Sequence, residues 1–218
     1  MREFIEVQED LARRVVLEDR FEGLERVAGV DLAYLGSRVF CAAVVLDYES
    51  LKIVEKRHME TKVSFPYVPT LLAFREAEPI IEAVKHLHFD VLMLDGHGIA
   101  HPRGLGIASH VGVLLDIPVI GVAKRILCGE VEGEIETGKP VPLIYKGRQV
   151  GYAYRPKDGI NPIYISPGHR VSLASSLKIV RHCIKGHKLP EPTRLAHTLA
   201  KSEKGKAHLI RTGKTKDT

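Results

Sequence analysis

Apolar and polar positions change period several times along the chain, and each change marks an element. Residues Phe4–Leu17 place Ile5, Leu11, Val15 and Val16 at helical spacing and predict an amphipathic helix. Arg26–Tyr34, Val39–Asp47 and Ile53–Thr61 are apolar or alternating runs separated by short turns at Gly36–Ser37 and Tyr48–Leu51, the pattern of an antiparallel meander. In Ser64–Pro69 (SFPYVP) two prolines bracket an aromatic and exclude regular structure. A helix is predicted over Leu71–Leu87, with Pro79 as a point where it can kink. Strand Asp90–Leu94, helix Gly104–Leu115 and strand Pro118–Ala123 follow.

Beyond them, Gly129–Lys139 reads as a loop, and Pro142–Tyr145, Arg148–Arg155 and Ile163–Ser166 predict short strands outside the central sheet. Ser166–Arg170 (SPGHR) reads as a turn. Ser172 can cap a helix running to about Lys185, and a last helix begins near Thr193. The segment Lys201–Thr218 is lysine-rich, and a mobile basic tail is expected over 205–218.

Three strands, helix, strand, helix, strand, then helices is the order of the ribonuclease H-like fold. It implies an α/β architecture in which an antiparallel meander joins parallel strands in one mixed sheet with helices on both faces. No repeat or linker divides the 218 residues, so one domain is expected. The fold alone fixes no function.

Charge changes the picture modestly. Lys and Arg number 32 against 27 Asp and Glu, a net +5 that favours a polyanionic partner. Cys41, Cys128 and Cys183 lie far apart, as reduced thiols of a cytosolic protein do. No apolar run reaches the ~20 residues of a membrane span, and the N-terminus has neither signal-peptide nor transit-peptide character. A cytoplasmic protein with no membrane partner is expected.

Three carboxylates stand out against this background. Asp31 interrupts the apolar strand GVDLA, and Asp95 ends the fourth strand just before Gly96. Glu76 is the one acid in a helical stripe of Leu72, Ile80, Ala83 and Leu87, where a buried carboxylate requires a cation or a proton. Taken singly, Asp31 reads as an edge residue and Asp95 as a turn aspartate. Taken together, acids from strand one, the first crossover helix and the end of strand four would converge at one end of the sheet. Hard oxygen donors packed together suit Mg²⁺ or Mn²⁺ better than Zn²⁺. Lys124, just past strand five, can bring positive charge to a reacting phosphate or hold a water. His101 and Arg103 sit on the loop after Asp95, where a phosphate backbone would pass or solvent would cover them; His97 reads as loop structure and His169 as a satisfied turn histidine.

Six motifs in order, VAGVDLAY (Val27–Tyr34), FPYVPTLLAFRE (Phe65–Glu76), LDGHGIAHPRGLGIASHVG (Leu94–Gly112), PVIGVAK (Pro118–Lys124), NPIYISPGHRVS (Asn161–Ser172) and PEPTRLAH (Pro190–His197), resemble those of endonuclease V, an inosine-specific nuclease of DNA repair. The resemblance runs from about Val27 to Ala200. It implies Mg²⁺-dependent hydrolysis, with Mn²⁺ able to substitute, at the second phosphodiester 3′ to deoxyinosine, leaving 3′-hydroxyl and 5′-phosphate ends. It also implies that Asp31, Glu76 and Asp95 bind metal, that Lys124 is the active-site lysine and His101 the active-site loop histidine. Pro66, Tyr67, Val68 and Pro69 match the wedge that separates strands at the lesion, where a proline-stiffened aromatic can fill the gap of an extruded base.

Leu72, Gly96, Gly98, Ile107 and Leu127 match the base pocket, the glycines permitting close backbone approach. Arg103 is a further candidate for contacting DNA. Thr70 departs from the family, standing where members often have glycine. His197 stands where some members have aspartate and is a candidate fourth residue of the metal shell. The expected partner is deoxyinosine-containing DNA, met by a monomer. Inosine in RNA, branched or flapped DNA, and noncatalytic nucleic-acid binding are the alternatives.

Overall fold

The computed structural model, which describes residues 1–212 and side chains through residue 209, runs α1 (Arg2–Ala12), β1 (Arg26–Leu35), β2 (Arg38–Asp47), β3 (Ile53–Lys62), α2 (Ala73–Val84), β4 (Val91–Leu94), α3 (Ile107–Leu115), β5 (Val119–Ala123), β6 (Glu130–Val131), β7 (Pro140–Tyr145), β8 (Arg148–Tyr154), β9 (Ile163–His169), α4 (Leu173–His182) and α5 (Glu191–Thr212). One nine-stranded sheet takes the order β3-β2-β1-β4-β5-β9-β8-β7-β6. β1, β4 and β5 are parallel neighbours, and β2 and β3 extend them as an antiparallel meander. This is the ribonuclease H-like mixed sheet that the element order implies.

Alternation along the strands builds two cores. Ala28, Val30, Leu92 and Leu94 face α2 and α3, while Val27, Val91 and Met93 face α4 with Leu195 of α5. Burying both faces explains why β4 and β5 read as unbroken apolar runs. β3 lies at the sheet edge with charged, mostly exposed side chains that discourage further strand pairing.

Several boundaries differ from the sequence pattern for identifiable reasons. α1 stops at Ala12 rather than Leu17. Val16 instead lies outside the helix, its N–H donating to His169 Nδ1 at 3.2 Å and its carbonyl accepting from Arg170 N at 2.7 Å. SPGHR is not a turn: Ser166–His169 complete β9, and a register irregularity opposite Val119 and Ile120 accommodates Pro167. The strands expected outside the central sheet continue it through β9, and the loop at 129–139 contributes β6. Helix α3 begins at Ile107, because Gly104 turns the chain at φ +70° before it. Ser172 does cap α4, accepting from Ser175 N at 3.1 Å. The basic segment from 205, expected to be mobile, continues α5 to Thr212, and the rest of that segment, 213–218, lies outside the described residues.

One core residue gives a pH test. His110 is buried on α3, its ring edge-on to Phe74 at 5.3 Å and its Nδ1 without a partner. Burial pushes its pKa down from 6.5 to about 4. The folded state therefore binds fewer protons than the unfolded one between these values. Stability present above pH 6.5 is lost as pH falls through about 4, on the order of 3 kcal/mol for this group alone. His110→Phe should flatten that part of the stability profile, measured by urea unfolding between pH 4 and 7; an unchanged acid slope would contradict the assignment.

Candidate active site

Register places the first two acids. Val30 of β1 pairs with Leu94 of β4, so Asp31 and Asp95, each the next residue along, emerge side by side where β4 ends. Glu76 reaches the same place from the first turn of α2, where the helix dipole favours a negative charge. β5 ends one strand over, and Lys124 follows it and pairs with Asp95. Asp31, Glu76, Asp95 and Lys124 line one cavity of about 270 Å³ with Tyr67, Leu72 and Ile107.

Each acid has a partner within the protein. Asp31, only 9% exposed, lies 2.7 Å from His197 Nδ1 on α5. Glu76 accepts a 2.6 Å hydrogen bond from the Tyr34 hydroxyl, and the Arg75 charge also acts on it. Asp95 holds Lys124. Burial, then the charge of Asp95, raises the pKa of Asp31. Burial likewise raises that of Glu76, with Asp31 and Asp95 adding to it against the Tyr34 bond. The acids thus sense one another, and a divalent cation is the natural relief for that repulsion. Their oxygen donors fit such an ion chemically. Among the described residues, however, no three His, Cys, Asp or Glu side chains form a ready-made metal cluster.

A second cavity, of about 560 Å³, adjoins the first and shares Tyr67, Leu72, Ile107 and Lys124 with it. Val68, Pro69, Gly96 and Leu127 complete much of its lining. Its size is that of small-molecule sites, which run about 300–1,000 Å³. Tyr67 stands 70% exposed at the rim between the two. Pro66 lines neither cavity. Gly98 does not line them either: a Cβ there would meet the Pro167 carbonyl at 2.0 Å, and its N–H already donates to Ser166 Oγ at 2.8 Å. Gly98 therefore packs the loop against β9.

His101 and Arg103 also turn out differently from a phosphate-facing loop. His101 is 3% exposed; its Nδ1 accepts from Arg103 N at 3.2 Å, leaving Nε2 to face the Thr70 carbonyl at 3.1 Å as donor. Burial, with the Arg103 charge behind it, pushes its pKa down to about 4. This neutral histidine lines the apolar cavity and not the acidic one. Arg103 points inward as well, donating to Gln8 Oε1 at 2.6 Å and to Thr70 O and Oγ1 at 2.9 and 2.7 Å.

Thr70 itself adopts φ +67°, a left-handed conformation that costs a non-glycine residue about 1–2 kcal/mol. That explains the glycine expected there, and the hydrogen bonds around Thr70 explain why threonine is tolerated. His169, read as satisfied, is so: besides Val16 N it meets Asp116 Oδ1 at 3.1 Å. Tyr34 and Arg75 had no role assigned from sequence, although both lie inside quoted motifs; Arg75 stacks over the Tyr34 ring at 4.7 Å and donates to the Phe65 carbonyl. Gln8 carried no signal at all.

A ribonuclease H-like sheet that presents three coupled carboxylates and a lysine beside an apolar recess defines a nuclease. The chain belongs to the endonuclease V family, whose model matches residues 9–198. It is 45% identical over 201 residues to endonuclease V of Gloeobacter violaceus, covering 88% of this chain and 82% of that one. Among solved structures, endonuclease V of Streptomyces avermitilis superposes with a TM-score of 0.87 at 37% identity, covering 95% and 94% of the two chains. Endonuclease V of Ciona intestinalis, in complex with a 24mer DNA containing an inosine followed by a ribo-adenosine, gives 0.82 at 30% identity, covering 94% and 98%. Nucleases of this family depend on a divalent metal. Among the described residues, no helix is long and apolar enough to cross a membrane.

Proposed function

We propose that this chain recognises deoxyinosine in DNA and hydrolyses the second phosphodiester 3′ to it, leaving 3′-hydroxyl and 5′-phosphate ends. The observation that carries the reading is the adjoining pair of cavities, an acidic one for phosphodiester chemistry and an apolar one for a base, joined at Tyr67. Asp31, Glu76 and Asp95 would hold Mg²⁺, with Mn²⁺ able to replace it, and His197 would orient Asp31 or join the shell. Such an ion, when bound, activates water and stabilises the leaving oxygen. Lys124 supplies positive charge beside Asp95, where it can hold a phosphate oxygen or a water once the pair opens.

Leu72, Ile107 and Leu127 enclose the extruded base, and Gly96 leaves its backbone close to the base edge; a side chain there would meet Ile107. The Pro66–Pro69 segment acts as the strand-parting wedge, with Tyr67 stacked in the gap. The chain acts as a monomer, and its unpaired cysteines suit a reducing compartment such as the cytoplasm.

The test is a cleavage assay on one inosine-containing oligonucleotide, with and without Mg²⁺, with the cut position mapped. Cutting elsewhere than the second bond, or at equal rates on undamaged DNA, would sink the reading. The Ciona complex, in which a ribo-adenosine follows the inosine, makes inosine in RNA the second reading; single-turnover rates on matched DNA and RNA strands separate the two. Tyr67→Ala should lower selectivity for the lesion more than overall duplex affinity. Equal losses of affinity on plain and inosine-containing duplexes would remove the wedge role.

A further inference from the structure

Two ends of the exposed 66–69 loop are tied to the same helix. At the entering end, Phe65 packs against Phe4 of α1, ring centroids 5.1 Å apart, and both rings meet Phe74 of α2, at 5.9 and 4.8 Å. The Phe65 carbonyl is also held by Arg75. At the leaving end, the carbonyl of Thr70 accepts from Gln8 Nε2 at 2.9 Å, and Arg103 bridges Gln8 to Thr70. Phe4 and Gln8 are one helical turn apart and so share a face of α1. Leu11 continues that face and anchors the helix on Leu105 and Val113.

Gln8 is 1% exposed and Thr70 is held in a left-handed conformation, whereas Tyr67 between the anchors is 70% exposed. A rigid frame around a projecting aromatic is what a side chain needs to push between stacked bases, because a loose loop would yield instead. Both α1 anchors precede residue 9, where the match to the family model begins.

We infer that α1 is a clamp that fixes the 66–69 loop for parting a duplex at the lesion, with Phe4 and Gln8 as its positioning residues. The inference rests on the proposed function, and its consequence is confined to double-stranded substrate. An inosine in a single strand has no partner strand to part, so the clamp acts on one substrate and not on the other.

The experiment compares single-turnover cleavage of the same inosine oligonucleotide, alone and annealed, by the full chain carrying Phe4→Ala, Gln8→Ala or Val180→Ala. The duplex-to-single-strand rate ratio should fall about tenfold for Phe4→Ala and for Gln8→Ala. Val180→Ala, buried on α4 in the core of the sheet's other face, should lower Tm and leave the ratio alone. As a second readout, 2-aminopurine placed opposite the inosine should brighten when wild type binds without metal, and brighten less with Phe4→Ala. A ratio unchanged in both anchor variants, or lowered equally by Val180→Ala, overturns the clamp. Wild type that cleaves neither form of the oligonucleotide sinks the proposed function, and the clamp falls with it.

Discussion

Asp31→Asn and Asp95→Asn should each abolish nicking of an inosine duplex while leaving duplex affinity nearly intact. Both acids line the cavity shared with Glu76 and Lys124, and an amide cannot supply the charge that draws in a divalent ion. Losing such an ion removes several kcal/mol of transition-state stabilisation, so a rate loss of roughly 10³-fold or more is expected. Affinity for the phosphate backbone comes instead from cationic and main-chain groups, which the substitutions leave in place.

Asp31→Asn has a second, opposite signature. Burial and the neighbouring Asp95 raise the Asp31 pKa, so the folded state holds a proton that the unfolded state has released. Stability therefore falls as pH rises from the ordinary aspartate value through the raised one, and the penalty is complete above it. At neutral pH without metal, Asp31→Asn should melt above wild type, by calorimetry in EDTA. Wild-type cleavage by both variants in Mg²⁺ would remove these acids from the chemistry.

β1 and β2 were legible because their apolar runs coincide with burial, and β3 because a short turn leads into it from β2; all three lie within a residue of the boundaries the pattern predicts at each end. Asp31 and Glu76 were legible for a related reason, each being an acid at a position the surrounding pattern reserves for apolar side chains. What escaped depends on partners distant in sequence. Ser-Pro-Gly resembles a turn until a bulged pairing with β5 makes it a strand. Arg103 reads as a solvent- or phosphate-facing cation until Gln8, 95 residues away, turns it inward. The same network consumes His101 and gives Thr70 its conformation. Gly98 was read as leaving room for a ligand, whereas its neighbour is the protein's own backbone.

That last distinction leads to Gly98→Ala, which should be among the most damaging single-methyl changes outside the acids. Its Cβ would lie 2.0 Å from the Pro167 oxygen and 2.5 Å from the Pro167 carbon. Neither strand can retreat freely. Ile99 N donates to that same Pro167 oxygen at 2.8 Å, and Gly106 N donates to the Gly98 carbonyl at 2.9 Å. On the other side Gly121 of β5 presses on the same loop, its own added Cβ meeting Gly98 N at 2.4 Å and the Gly96 carbonyl at 2.6 Å. The loop that leaves Asp95 is thus laminated between β5 and β9, and overpacking there has no side-chain rotamer to absorb it. A destabilisation of about 2–4 kcal/mol is expected, which in a chain of this size lowers Tm by roughly 5–15 °C.

Any protein that remains folded should still cut poorly. Displacing the loop by even a fraction of its clash moves Asp95 and Gly96 together, and misplacement on the order of 1 Å can lower a rate about 10²-fold. Gly23→Ala is the control, since a Cβ there meets nothing within 4 Å and should shift stability by no more than about 0.5 kcal/mol. Thermal melts and cleavage rates of the two variants side by side decide the matter. If Gly98→Ala melts and cuts like Gly23→Ala, the loop is not held by β9, and the backbone that frames the acidic cavity must be fixed some other way.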